Sequence, residues 1–96
     1  MIERMDFEWN PGKAASNRKK HGVGFEEART IFADPLELTI SDPDHSHGEY
    51  RFLSVGRSEL GRILVVSYTE REPHHIRIIT ARPASRAEQK SYESRH

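Results

Sequence analysis

The chain has 96 residues, the length of one domain with a modest core, and its charges sum to a formal net charge of zero. Cysteine is absent, which excludes a disulfide framework and a thiolate metal site. No apolar run approaches the roughly 20 residues of a membrane-spanning helix and no signal-peptide pattern is present, so we expect one cytoplasmic domain over residues 1–96.

The charges are unevenly distributed between the two halves. Residues 1–49 contain 6 Lys and Arg against 10 Asp and Glu, whereas residues 50–96 contain 9 against 5, giving −4 and +4. All but one of the basic residues in the second half are arginine, which binds phosphate through a planar fork. The second half could therefore hold an RNA backbone; the alternative is that these arginines only solubilise strand ends. The mean hydropathy of −0.81 is low for a self-sufficient domain and favours a protein partner.

The N-terminal third predicts a short strand and two helices. The strand is expected at Phe7–Trp9, and it is followed by an N-cap and a first-turn proline at Asn10 and Pro11. The first helix is predicted over Gly12–His21. The second is predicted over Phe25–Ala33, where apolar residues recur with helical spacing.

Four strands are predicted next, over Leu36–Ser41, Tyr50–Arg57, Arg62–Thr69 and His75–Arg82. The last two are nearly continuous apolar runs rich in Val and Ile, which is typical of strands buried on both faces. The polar link Glu70–His74 joins them, so we expect a hairpin at the centre of an antiparallel sheet.

A polar C-terminal helix is predicted after the sheet. Ser85 and Glu88 have the spacing of a capping box, and Tyr92 lies farther along the same helix. The predicted order β-α-α-β-β-β-β-α indicates an α+β fold.

Metal-dependent and covalent chemistry have little support in the sequence. Asp42, Asp44, His45 and His47 form a loop cluster and His74–His75 form a pair, but their spacing matches no established metal motif. Neither a Gly-x-Ser-x-Gly sequence nor a phosphate-binding loop is present. We expect no metal and no cofactor.

The arginine-rich strands suit metal-free RNA cleavage, which needs a base for the 2′-hydroxyl, an acid for the leaving oxygen, and cations around the phosphorane. Glu70 is the candidate base and His21 or an arginine the candidate acid. The candidate clamps are Arg51, Arg77 and Arg82, and Tyr68 or Tyr92 could stack on a base. Structural interpretations stay open: Glu70 could pair with Arg71 or Arg77, His21 could be only a cation at a helix end, and Tyr92 could only pack its helix.

Several motifs together resemble one known family. The most specific is Phe7-Glu8-Trp9-Asn10-Pro11-x-Lys13-Ala14-x-x-Asn17-x-x-Lys20-His21-Gly22-Val23-x-Phe25-Glu26-Glu27-Ala28. It is followed by Phe32-x-Asp34-Pro35, Gly48-Glu49-x-Arg51, Gly56-Arg57, Tyr68-Thr69-Glu70-Arg71, Arg77-Ile78-Ile79-x-Ala81-Arg82-x-Ala84, Glu88 and Tyr92. This pattern resembles the BrnT toxins over almost the whole chain. Asn10 stands where the pattern usually has Asp, and Gly24 stands where Ser often begins a capping box.

The resemblance implies a RelE-like fold and the toxin of a type II toxin–antitoxin pair, an endoribonuclease that inhibits translation. It implies a hetero-oligomer with a BrnA-like antitoxin, which would neutralise the toxin and contact operator DNA. The candidate catalytic residues are Glu70, His21, Arg51, Arg77 and Arg82; the candidate RNA-binding residues are Lys20, Arg57, Arg71, Tyr68 and Tyr92. The alternative is a non-catalytic module that binds nucleic acid or a partner as a scaffold in a repressor complex.

Overall fold

A computed structural model describes residues 5–41 and 50–94 of the chain. The elements are β1 (Asp6–Glu8), α1 (Pro11–His21), α2 (Phe25–Ala28), a 3₁₀ helix (Arg29–Ala33), β2 (Leu38–Ser41), β3 (Arg51–Arg57), β4 (Ile63–Glu72), β5 (His75–Pro83) and α3 (Arg86–Glu93). The predicted α+β class is confirmed, with three α-helices and five strands among these residues. None of the helices in the described ranges is long and apolar enough to cross a membrane.

The five strands form one sheet in the order β1-β5-β4-β3-β2. Neighbours from β5 to β2 are antiparallel, but β1 pairs with β5 in parallel, placing Glu8 opposite Arg77. The sheet is therefore mixed, and the prediction of a purely antiparallel sheet is wrong. Residues far apart in sequence form the β1–β5 pair, so no local turn signal reveals its direction.

The ends of α1 follow the local chemistry of the sequence. The Asn10 side chain accepts a hydrogen bond from the Lys13 backbone N–H at 3.0 Å, and Gly22 ends the helix at φ 70°. Buried Asn17 joins the helix to β5, because its amide donates to the Ala81 carbonyl at 2.8 Å and accepts from the Ala81 N–H at 3.1 Å. This helix is thereby fixed against the sheet.

The second predicted helix is interrupted. It is α-helical only to Ala28 and continues as a 3₁₀ helix, in which the Thr30 hydroxyl donates to the Glu27 carbonyl at 2.6 Å. This segment lies close to β3: a Cβ added at Gly56 would be 3.0 Å from the Cβ of Ile31. Close packing against the strand thus accompanies the tighter winding.

The sheet has two different faces. On the packed face, α1, α2 and the 3₁₀ helix cover a core formed by Val23, Phe25, Ala28, Ile31, Leu64, Val66, Tyr68, Ile76, Ile78 and Ala81. On the opposite face, α3 covers a smaller cluster of Val55, Ile63, Val65, Ala84 and Tyr92. β4 is buried without a break from residue 63 to residue 69, as the apolar run predicts.

The β4–β5 hairpin is tighter than predicted. Strand pairing continues through the charged residues to Glu72, so only Pro73 and His74 turn the chain. His74 has φ 68°, and its carbonyl accepts from the Asp6 N–H at 2.7 Å. The hairpin end therefore lies beside β1, which positions the charged residues of these strands near one another.

Candidate active site on the charged face of the sheet

The face opposite the packed face carries arginines from β3 and β5, the two strands that flank β4, and we call it the charged face. Arg51 on β3 pairs with Thr69 on β4, which pairs in turn with Arg77 on β5. This cross-strand row spans two strand spacings, about 10 Å between the arginine Cα atoms. Arg57 and Arg82 lie on the same face toward α3, opposite Ile63 and Val65.

The two arginines near α3 are held by contacts within the fold. Arg82 makes a bidentate ion pair with Glu88 of α3 at 2.7 and 2.8 Å, which lowers the Glu88 pKa to about 2. The Arg57 backbone N–H donates to Asp34 at 2.8 Å, and its guanidinium lies 6.0 Å from the centre of the Tyr92 ring. We call this region the α3 half.

The other end of the charged face, here called the distal half, combines a carboxylate, an imidazole and a guanidinium. Glu8 Oε1 lies 2.6 Å from His75 Nε2, and Glu8 Oε2 lies 3.4 Å from Arg77 Nη1. The hydrogen bond from His75 lowers the pKa of Glu8, and the charges of Arg71 and Arg77 lower it further. The three side chains are about one-third exposed, at 38%, 36% and 33%, so solvent reaches them.

Thr69 lies between Arg51 and Arg77 and carries an unusual hydroxyl. The residue is 1% exposed, and its Oγ1 has no hydrogen-bond partner among the residues that the structure describes. Buried polar atoms are nearly always satisfied, and exceptions accompany strained or functional sites. The row therefore places a buried hydroxyl between two arginine-bearing positions.

Glu70 and His21 do not share a site with one another. The Gly22 carbonyl beside His21 accepts from Arg62 Nη2 at 3.2 Å, which places the end of α1 near the start of β4. Glu70 is eight residues farther along, about 26 Å for an extended strand. The structure therefore does not place these two candidates around one phosphate. Lys20 lies beside His21 on α1, and the separate role of each of these three residues stays a prediction.

The two tyrosines are buried rather than presented to a ligand. Tyr68 is 6% exposed, lies on the packed face, and stacks on Phe52 with ring centroids 5.6 Å apart. Tyr92 is 2% exposed, and its hydroxyl donates to Asp34; burial raises the pKa of both phenols. Neither ring presents an open face to solvent, and stacking of a nucleobase on Tyr68 or Tyr92 stays a prediction. The alternative that Tyr92 packs its helix fits the structure.

The sequence does not single out Glu8 and His75 as partners. Each lies on a strand with its side chain on the charged face, but 66 residues separate them along the chain. The available signal is the alternation of the strands, which places His75 and Arg77 on one face. The described residues contain no group of three or more potential metal ligands, while Asp42, Asp44, His45 and His47 lie outside the described ranges.

Comparison with known proteins gives two informative matches. Residues 9–88 match the family model described as ribonuclease toxin, BrnT, of type II toxin–antitoxin system. The fold is similar to the crystal structure of the ribonuclease toxin BrnT of Brucella abortus, with a TM-score of 0.62 and 20% identity over 85% of this chain and 99% of that chain. A search of curated proteins gives no match.

Proposed function

Because the chain belongs to the BrnT family of type II toxin–antitoxin ribonuclease toxins, as its motifs predict, we propose that it is a metal-independent endoribonuclease acting at the distal half. The observation that supports this location is the row formed by Arg51, Thr69 and Arg77. The row brings Arg51 and Arg77, two arginines of the motifs that resemble the family, onto one face.

The two arginines act as a phosphate clamp. Side chains from positions about 10 Å apart reach a phosphate between them, and each guanidinium donates in a planar fork. When the 2′-oxygen attacks, the phosphorane gains negative charge relative to the bound RNA. Guanidinium groups aimed at that charge therefore lower the barrier more than they strengthen substrate binding.

This chemistry predicts defined products. Attack by the 2′-oxygen leaves a 2′,3′-cyclic phosphate on one fragment and a 5′-hydroxyl on the other, with no metal-bound water required. The test is cleavage of a long RNA by the purified protein in excess EDTA, followed by identification of both ends. An Arg51→Ala/Arg77→Ala double variant, purified identically, controls for contaminating nucleases and should show no cleavage. Loss of activity in EDTA, or a 5′-phosphate product, would overturn the mechanism.

The family also implies an antitoxin, and we propose that it neutralises the toxin by covering the charged face. The +4 charge of residues 50–96 favours an acidic surface on that BrnA-like partner, because complementary potentials accelerate and orient association. Contact with operator DNA would then belong to the antitoxin. This arrangement would prevent RNA from reaching Arg51 and Arg77.

The antitoxin proposal can be tested with the cognate antitoxin, the BrnA-like protein that the family implies. Its affinity is measured across a range of salt concentrations for the wild type and for the Arg51/Arg77/Arg82→Ala triple variant. We expect affinity to fall with salt and the triple variant to bind more weakly with a shallower salt dependence. An affinity indifferent to both changes would contradict the electrostatic part of the proposal.

A further inference from the structure

We propose that His75 is the proton-transfer group of the ribonuclease and that Glu8 positions it, an assignment that rests on the proposed function. The clearest observation is the bridging position of the Glu8 carboxylate. One oxygen lies 2.6 Å from His75 Nε2 and the other lies 3.4 Å from Arg77 Nη1. A single carboxylate therefore holds an imidazole beside a proposed phosphate clamp.

The contact with Glu8 also orients the imidazole chemically. A carboxylate only accepts, so Nε2 carries the proton in this pair and Nδ1 keeps its lone pair. No described residue hydrogen-bonds Nδ1, and the His75 side chain is 36% exposed. This is the arrangement of a general base whose second nitrogen is fixed by an acid, and the site is reachable by RNA.

The proposed step conserves atoms and protons. His75 Nδ1 takes the proton of the 2′-hydroxyl as the 2′-oxygen bonds to phosphorus, while Arg77 donates to the non-bridging oxygens. The bond from phosphorus to the 5′-oxygen then breaks, and the imidazolium returns the same proton to that departing oxygen. The enzyme therefore returns to its starting state. The Glu8 carboxylate stabilises the positively charged imidazolium that forms between the two proton transfers.

Charged residues of the two neighbouring strands, β1 and β4, lie beside His75 in the sheet. Asp6 of β1 and Glu72 of β4 are opposite His75 in the strand registers, and Arg71 acts electrostatically on Glu8. Carboxylates and guanidiniums are thus mixed at the distal half. Carboxylates weaken anion binding, so their presence here fits either the positioning of a proton-transfer group or the attachment of β1 to β5.

The alternative interpretation is that these ion pairs only hold β1 onto β5. Variants distinguish this structural role from a role in proton transfer. His75→Ala should lower turnover by about 10²-fold or more, and free imidazole should restore part of it. His74→Asn is the matched control, because it removes the neighbouring imidazole while Asn tolerates the φ of 68°. It should cleave at the wild-type rate. Thermal unfolding of each variant verifies that it is folded.

The pH profile tests Glu8 as a positioning residue. With His75 as base, kcat/KM should rise with pH and then level off, because only the neutral imidazole accepts the proton. Glu8→Gln removes the charge that stabilises the imidazolium, so the inflection should move to lower pH as well as the rate falling. A role in strand pairing alone would lower the rate without moving the inflection.

The outcomes distinguish this assignment from the proposed function. Cleavage by the wild type, with imidazole rescue of His75→Ala and a shifted profile in Glu8→Gln, supports the assignment. Full activity in His75→Ala, or a larger loss in Glu70→Gln or His21→Gln, overturns the assignment and leaves the ribonuclease in place. Absence of cleavage by the wild type overturns both.

Discussion

The α3 half and the distal half of the charged face both contain arginines, but the contacts of these arginines differ. In the α3 half, Arg82 is closed into a bidentate pair with Glu88, and Arg57 lies against the Tyr92 ring. In the distal half, Arg77 shares Glu8 with His75 at a longer distance of 3.4 Å. The position of an arginine in a motif therefore does not reveal its role, which depends on the groups that surround its side chain.

Substitutions of Arg77 and Arg82 should differ strongly in their effects on turnover and on stability. Arg77→Ala should lower turnover by about 10²-fold with little loss of stability, since one transition-state donor is removed. Arg82→Ala should chiefly lower the melting temperature, because Glu88 then loses its partner. Single-turnover cleavage and thermal unfolding of both variants provide the comparison. If both variants lost turnover equally and had equal melting temperatures, the proposed difference between the two halves would be contradicted.

A smaller effect concerns acid stability in the α3 half. The Glu88 pKa is lowered from 4.5 to about 2, so its contribution is complete above about pH 5 and is lost as pH falls toward 2. The full shift would correspond to about 3 kcal/mol, but the Arg82 and Glu88 side chains are 42% and 32% exposed, so screening reduces it to about 1–2 kcal/mol.

Glu88→Gln should therefore flatten the stability profile between about pH 5 and 2. The exposed Glu93 on the same helix provides a matched control, Glu93→Gln, measured by denaturant unfolding at each pH. A Glu88→Gln profile that parallels the wild type would contradict the contribution assigned to this ion pair.

The smallest effect is at the start of α3. The Ser85 hydroxyl accepts from the Glu88 N–H at 3.2 Å, and Glu88 in turn accepts from the Ser85 N–H at 2.8 Å, which confirms the predicted capping box. Ser85→Ala should cost roughly 1 kcal/mol of unfolding free energy. An unchanged melting temperature would show that the helix is stabilised elsewhere. Turnover should be unaffected, because the cap belongs to the α3 half.

These contacts also show which features the sequence could predict. Caps and terminators act over a few residues, so Asn10, Gly22 and the Ser85 box located helix ends from local chemistry alone. Continuous apolar character likewise predicted that β4 is buried on both faces. The strand set and the α+β class followed from such signals.

The site itself depended on long-range pairing, which the sequence does not encode locally. The parallel registration of β1 on β5 brings Glu8 to His75 and Arg77, and no turn or spacing rule predicts it. Conversely, the alternation of β4 places Tyr68 on the packed face, where it is buried. The chemistry of tyrosine alone suggests a stacking residue and does not take this alternation into account. Residue type suggested the chemistry, but the sheet decided which residues meet.

RNA bound at the distal half should change the backbone amide chemical shifts of the residues there. The probe is a mixed-sequence 2′-O-methyl oligoribonucleotide, which lacks the attacking hydroxyl and is not cleaved, titrated into the isotope-labelled protein. We predict that the largest shifts fall on the row of Arg51, Thr69 and Arg77 and on His75. Shifts centred on Lys20 and His21 of α1, with the distal half unchanged, would contradict the account.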